Sequence, residues 1–205
     1  MIKLILFDCD GLIIKHEKYF TVRLAAERGV VLEDENAKQK EFFKGVFIDC
    51  ETGKADLKEE LQKDLGLWSW SSSVEELMEY WFSGEATVEK EMKDFVLGLR
   101  QKGFKCFLCT NNEKYRTEYL QNVVGLKNIF DGLFSSASIG YLKKQQEFWQ
   151  EVYKNFDGIE KQNVLVCDDD MPNVEAASKF GFNAEFYTNF ESFKKVMSEK
   201  YNINA

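Results

Sequence analysis

The run Leu4-Ile5-Leu6-Phe7-Asp8-Cys9-Asp10-Gly11 constrains this chain more than any other stretch. Four apolar residues closed by a turn signal read as a buried strand. Asp8 and Asp10 are spaced two apart, so on an extended backbone they share a face. Gly11 permits a sharp exit, because a residue without a Cβ accepts backbone angles that others avoid. Paired carboxylates at the end of a buried strand are costly unless a cation sits between them. The remaining sequence has to supply that cation, further ligands for it, and something for Asp8 to attack.

From about residue 16 to residue 87 the pattern is helical and no clear strand is visible. Tyr19, Val22, Ala26 and Val30 fall at three- and four-residue steps. A second helical stretch, about residues 35–47, carries Phe42, Phe43 and Phe47. Leu57, Leu61 and Leu65 mark a third after Gly53, with Gly66 as its terminator. Ser71, Ser72 and Ser73 read as caps for a fourth, which carries Leu77, Tyr80 and Trp81.

From Val88 onward helix and strand alternate. Met92, Phe95, Val96 and Leu99 form one apolar helix face that ends at Gly103. Strands are predicted at residues 104–109, 133–136, 164–167 and 183–187, and helices at 115–123, 144–156, 173–180 and 190–200. Such alternation predicts an α/β fold with a parallel sheet, helices on both faces, and an all-helical insertion after the first strand. In open parallel sheets the ligand crevice lies beyond the carboxyl ends of the strands. Asp8 and Asp10, Thr110 and Asn111, and Asp168 to Asp170 all follow strand ends and should converge there.

Composition bounds the function. Hydrophobic residues make up 44% of the 205, enough for a real core. A net charge of −8 argues against a nucleic-acid binder, which would present a basic face. It leaves room for a small anion, because a metal and one lysine can set the local field. The five cysteines are scattered, and Cys9, Cys106, Cys109 and Cys167 sit in or beside strands, as buried thiols of a reducing cytoplasm do. On a strand, Cys106 and Cys109 face opposite ways, which argues against a paired redox or metal role. No apolar run reaches the roughly 18 residues of a membrane span. The N-terminus enters a strand directly, without a signal-peptide pattern. A cytoplasmic monomer or weak dimer is expected.

Asp8, Asp10, Asp168 and Asp169 in one crevice would repel one another unless a hard divalent cation holds them, and oxygen ligands suit Mg²⁺. With the cation bound, a phosphate can enter an otherwise anionic site. Asp8 is then a carboxylate nucleophile facing phosphorus. Asp10 can protonate the leaving oxygen and later deprotonate the water that cleaves the intermediate. Thr110 offers a hydroxyl and Asn111 an amide to the phosphoryl group, and Lys143 offsets charge around it. Taken singly, each piece is ordinary turn, cap or surface chemistry. Their order along an alternating fold is what carries the reading.

That order resembles the haloacid dehalogenase superfamily of hydrolases. Its motifs match Phe7-Asp8-Cys9-Asp10-Gly11, then Leu108-Cys109-Thr110-Asn111, then Ser136 to Lys143, then Val164 through Asp168-Asp169-Asp170 to Asn173. The resemblance implies a Rossmann-like core, residues 1–15 and 88–205, with a helical cap, residues 16–87. It implies that Asp8 is the nucleophile and Asp10 the acid/base, which also lends Mg²⁺ its backbone carbonyl. By spacing to Asn173, Asp169 matches the direct ligand and Asp168 its supporting neighbour. The dehalogenases of the superfamily lack an acid at the position of Asp10, which places this chain with the phosphate-transferring enzymes. Lys144 stands where a proline usually follows the motif lysine, so either Lys143 or Lys144 is the functional one, with Lys143 favoured by its spacing to Gly140.

The implied activity is Mg²⁺-dependent hydrolysis of a small phosphorylated metabolite, a sugar phosphate by a weaker match around Gly53-Lys54-Ala55-Asp56-Leu57-Lys58 and Tyr80-Trp81. A phosphomutase using the same aspartyl-phosphate and an idle binding protein are the alternatives. A receiver domain fits poorly, because its phospho-acceptor follows the third strand. The cap aromatics Trp68, Trp70, Trp81, Phe82, Phe42, Phe43 and Phe47 read mainly as helix packing, and His16 as a helix-start residue at the hinge.

Overall fold

The computed structural model describes residues 1–15, 17–28 and 33–204. Strand β1 (Leu4–Phe7) is followed by β2 (Ile14–Lys15) and five helices: α1 (Phe20–Arg28), α2 (Glu33–Lys44), α3 (Val46–Glu51), α4 (Leu57–Gln62) and α5 (Val74–Ser83). Strand β3 (Thr87–Val88) and helix α6 (Lys90–Gln101) return the chain to the sheet. Then come β4 (Lys105–Thr110), α7 (Lys114–Asn122), β5 (Gly132–Ser135), α8 (Ser136–Ile139) and α9 (Gln146–Tyr153). The chain closes with β6 (Val164–Asp168), α10 (Met171–Phe180), β7 (Asn183–Phe186) and α11 (Phe190–Tyr201).

Five strands form one sheet in the order β5-β4-β1-β6-β7, and every pairing in it is parallel. β1 is central, which explains its unbroken apolar character: both faces are covered. Ile5 and Phe7 pack on one face with Phe95, Val96 and Leu99 of α6 and Phe193 and Met197 of α11. Leu4 and Leu6 pack on the other with Phe148, Trp149 and Val152 of α9 and Ala176 and Ala177 of α10. All four β1 side chains are fully buried, each contributing about 1.5–3 kcal/mol. Cys106 joins the first cluster and Cys109 the second, so the pair is split across the sheet. All five cysteines are free thiols.

The helices between β2 and β3 enclose a separate apolar cluster with Phe20, Leu61, Trp68, Leu77 and Trp81 among its buried members. Its aromatics pack on one another; Phe20 and Trp81 stack at 4.7 Å. Tyr115 and Tyr119 of α7 lean against this cluster from the sheet side. Ser73 caps α5 as its sequence predicts, its hydroxyl accepting from the Glu76 N–H.

Several expectations are corrected here. The inward face of α1 is Phe20 and Leu24; Tyr19, Val22 and Ala26 are exposed, because the helix begins at Phe20 and the stripe is rotated accordingly. Val30 and His16 lie outside the described residues. The second predicted helix is broken at Gly45 into α2 and α3. Gly66 lies inside a short turn of helix, Leu65–Trp68, and does not end α4. β2 and β3, two residues each, carry no periodic signal; they pair antiparallel, Ile14 opposite Val88 and Lys15 opposite Thr87.

Candidate active site

The sheet order sets β4, β1 and β6 side by side, so Thr110, Asp8 and Asp168 emerge from neighbouring carboxyl ends. The Asp8, Asp168 and Asp169 carboxylates offer oxygens that all lie within 4.8 Å of one another. Among the described residues this is the group of acidic, histidine or cysteine side chains arranged to hold a metal ion. At Gly11 φ is +88°, and a Cβ there would stand 2.0 Å from Asp169 Oδ2, so the glycine both makes the turn and clears room for that carboxylate.

Lys143 reaches the same point from the loop after α8. Its Nζ donates to Asp8 Oδ1 at 2.5 Å and to Asp168 Oδ2 at 2.8 Å. The loop is fixed from two sides. The Lys143 N–H donates to Asn111 Oδ1 at 2.9 Å, and the Leu142 N–H to Gln145 Oε1 at 2.9 Å. Lys143 is buried and Lys144 is exposed, so Lys143 is the lysine brought to the carboxylates.

Burial opposes the charge on Lys143, but Asp8 and Asp168 outweigh it and hold the ammonium above its ordinary range. Burial pushes the Asp8 carboxyl well above the usual carboxylate range, with Lys143 pulling against it and Asp168 and Asp169 adding to it. Asp169 is raised by burial as well. Three carboxylates around one ammonium leave excess negative charge in a buried place. An all-oxygen donor set of this kind fits a hard divalent cation.

Asp168 Oδ1 also accepts from the Asp170 N–H at 2.9 Å and from Asn173 Nδ2 at 3.1 Å, which explains the spacing of Asn173 in the sequence. The Asp10 carboxylate is not one of that group of three. Its Oδ2 accepts from Asn112 Nδ2 at 2.6 Å and its Oδ1 from Arg116 Nη2 at 3.2 Å. The Asn112 amide also donates to Thr110 Oγ1 at 2.6 Å. Asn111, expected to meet a phosphoryl group, is tied through its carbonyl oxygen to the Lys143 backbone.

Sequence reasoning missed Asn112, Glu113, Arg116 and Glu51. Asn112 lies in the loop just before the Glu113 cap and Arg116 in the first turn of α7, and both side chains donate to Asp10. Glu113 caps α7, accepting from the Tyr115 N–H at 2.8 Å and from the Arg116 N–H; burial pushes its carboxyl up to about 7. Glu51, at the end of α3, is likewise pushed by burial to about 7, with Lys144 pulling it down and Asp10 adding to the rise. A cavity of ≈130 Å³ opens beside Asp10, where Phe47, Leu57 and Trp81 face Asn112 and Arg116.

Comparisons with known proteins give the family. A family model described as haloacid dehalogenase-like hydrolase matches residues 2–181. A D-ribitol-5-phosphate phosphatase of Bacteroides thetaiotaomicron is 26% identical over 190 residues, covering 89% of this chain and 90% of that protein. Among solved structures, a HAD family enzyme of Bacteroides thetaiotaomicron, crystallised with magnesium and inorganic phosphate, superposes with a TM-score of 0.75 at 19% identity, over 92% of this chain and 95% of that one. A predicted HAD-like family hydrolase from Porphyromonas gingivalis gives a TM-score of 0.77 at 22% identity over 100% of both chains. With the family model spanning most of its length and the same parallel sheet in its neighbours, the chain belongs to the haloacid dehalogenase-like hydrolase family.

Proposed function

We propose that the chain is a Mg²⁺-dependent phosphomonoester hydrolase for a small phosphorylated metabolite, a sugar or polyol phosphate. One observation carries the reading: a buried carboxylate, Asp8, is held by a lysine beside two further acids, with a separately held acid two residues on. The name of the ribitol-phosphate phosphatase relative supports the substrate class. The helical segment, residues 16–87, is taken as the cap over the site, and the cavity between Asp10 and Trp81 as room for the alcohol part of the substrate.

In this reading Asp8 forms the bond to phosphorus as the ester bond breaks, and Asp10 gives its proton to the leaving oxygen. Water then attacks the aspartyl-phosphate, Asp10 takes its proton, and Asp8 is released with free phosphate. Lys143 and Thr110 steady the phosphoryl oxygens. The Asp8, Asp168 and Asp169 carboxylates, with the Asp10 backbone carbonyl, would hold Mg²⁺, which when bound offsets the charge of carboxylates and phosphate. The test is phosphate release from a panel of polyol, sugar, nucleotide and aryl phosphates, with Mg²⁺ and then with chelator. Release that requires Mg²⁺ and disappears in Asp8→Asn is expected; full activity in that variant would overturn the assignment. Among the described residues no helix is long and apolar enough to cross a membrane.

A further inference from the structure

The chemistry above leaves the best-buried arginine of the site without a task. Arg116 is 5% exposed, in the first turn of α7, and its guanidinium serves three acceptors. Nη1 donates to the Phe82 carbonyl at 2.9 Å. Nη2 donates to the Glu85 carbonyl and, at 3.2 Å, to Asp10 Oδ1. Phe82 and Glu85 belong to the strap where the chain leaves α5 and returns to β3.

Glu85 ties that strap to the other crossing. Its buried carboxylate accepts from the N–H of Phe20, the first residue of α1, and from the Trp81 indole at 3.1 Å. Both ends of the helical segment therefore meet at Glu85, and Arg116 links them to Asp10. Charge neutralisation alone does not account for this. The Asp10 side chain is 30% exposed, and two of the three acceptors are main-chain carbonyls. Serving three acceptors from one buried position requires the planar fork of a guanidinium.

We infer that Arg116 is a positioning residue that clamps the Asp10 carboxylate to the strap at residues 82–85, so that the placement of the acid follows the helical segment. The inference rests on the reading of Asp10 as the acid/base. Arg116 also lines the cavity beside Asp10, so the positioning role is told apart from substrate contact by reading kcat separately from KM.

The test compares two esters. An alkyl phosphate such as D-ribitol-5-phosphate, or whichever alkyl ester of the panel turns over fastest, needs its leaving oxygen protonated. Para-nitrophenyl phosphate needs this far less, because its phenolate leaves readily. Arg116→Ala is expected to lower kcat on the alkyl ester at least about tenfold, on the aryl ester less, with KM changed little. The double variant with Asp10→Asn should be no slower than Asp10→Asn alone, because the arginine acts through the aspartate. Glu85→Ala, which removes the acceptor of Phe20 and Trp81 and keeps the main-chain carbonyl that Arg116 donates to, should shift the alkyl-to-aryl ratio in the same direction. If Arg116→Ala does not fold, Arg116→Lys carries the same comparison, since an ammonium cannot reproduce the fork.

Equal losses on both esters, additive losses in the double variant, or a raised KM with unchanged kcat would overturn the inference while leaving the function standing. An unmoved ratio in Glu85→Ala would overturn the link to the helical segment. Unchanged alkyl turnover in Asp10→Asn would overturn the acid/base reading and this inference with it.

Discussion

Lys143 Nζ donates to Asp8 Oδ1 at 2.5 Å although the two residues are 135 positions apart in the chain. The same ammonium holds Asp168, so one side chain fixes the acids at the ends of β1 and β6 relative to each other. Removing it strands carboxylates in a buried place. Lys143→Met is expected to cost about 3–5 kcal/mol of stability without metal, the usual cost of breaking a buried ion pair. Turnover should fall by at least about a hundredfold, as when a donor to developing charge is removed. Lys144→Met, at an exposed position, should change stability by no more than about 0.5 kcal/mol. Chemical denaturation and steady-state assays of the two variants check this directly.

Asp8→Asn removes the nucleophile of the proposed mechanism and also relieves the burial of a charge. The amide keeps a carbonyl oxygen for the Lys143 ammonium and for the Cys9 N–H, which donates to Asp8 Oδ1 at 2.6 Å. Turnover should disappear while the melting temperature stays level or rises. A melting temperature lowered by more than a few degrees would show that the charge itself holds the site together.

Gly11→Ala tests the turn. The backbone there lies in the left-handed region, which costs an ordinary residue about 1–2 kcal/mol. The new methyl would also collide with the Asp169 carboxylate, 2.0 Å away. The expected result is a modest loss of stability with a larger loss of Mg²⁺ affinity, read by calorimetric titration. Unchanged affinity would mean that Asp169 is not needed to bind the ion.

Glu113 gives the stability a pH dependence of definite sign. Its folded carboxyl is pushed by burial from the ordinary 4.5 to about 7. Between those values the folded chain holds a proton that the unfolded chain has lost, so this residue's contribution falls as pH rises through that window and is gone above it. The two N–H groups that the carboxylate accepts favour the anion, and about 7 is what burial leaves against their pull, which corresponds to about 3 kcal/mol across the window. Glu113→Gln, which keeps an acceptor for the helix start, should be flatter than the parent between pH 5 and pH 7, as measured by urea denaturation. Equal slopes would contradict the buried, proton-holding carboxylate.

The sheet and the convergence of Asp8, Thr110, Lys143, Asp168 and Asp169 were legible because strand ends are marked twice, by apolar runs and by the polar residues that stop them. The geometry also separates Lys143 from Lys144, which spacing only favoured. The network around Asp10 was not legible. Asn112 sits in the loop before α7 and Arg116 in its first turn, a stretch whose sequence looks like an ordinary polar surface, and only the three-dimensional return of residues 82–85 gives the arginine its main-chain acceptors. The stripe of α1 was misread for a related reason. Tyr19 and Val22 are apolar enough to join a pattern, but the helix start at Phe20, fixed by distant Glu85, sets which side turns inward.

The two-residue strands β2 and β3 lie side by side, Ile14 against Val88 and Lys15 against Thr87. The helical segment therefore leaves and re-enters the sheet through a single narrow doorway. The length of chain that passes beyond it makes no demand on strand order or register, and the entropy of closing such an excursion grows only slowly with its length. In engineering terms the doorway is a splice junction. A different excursion, longer, shorter or differently folded, can be grafted between Lys15 and Thr87 while Asp8, Asp168 and Asp169 stay where β1 and β6 put them, provided that it supplies anew the hold on Asp10 that residues 82–85 give.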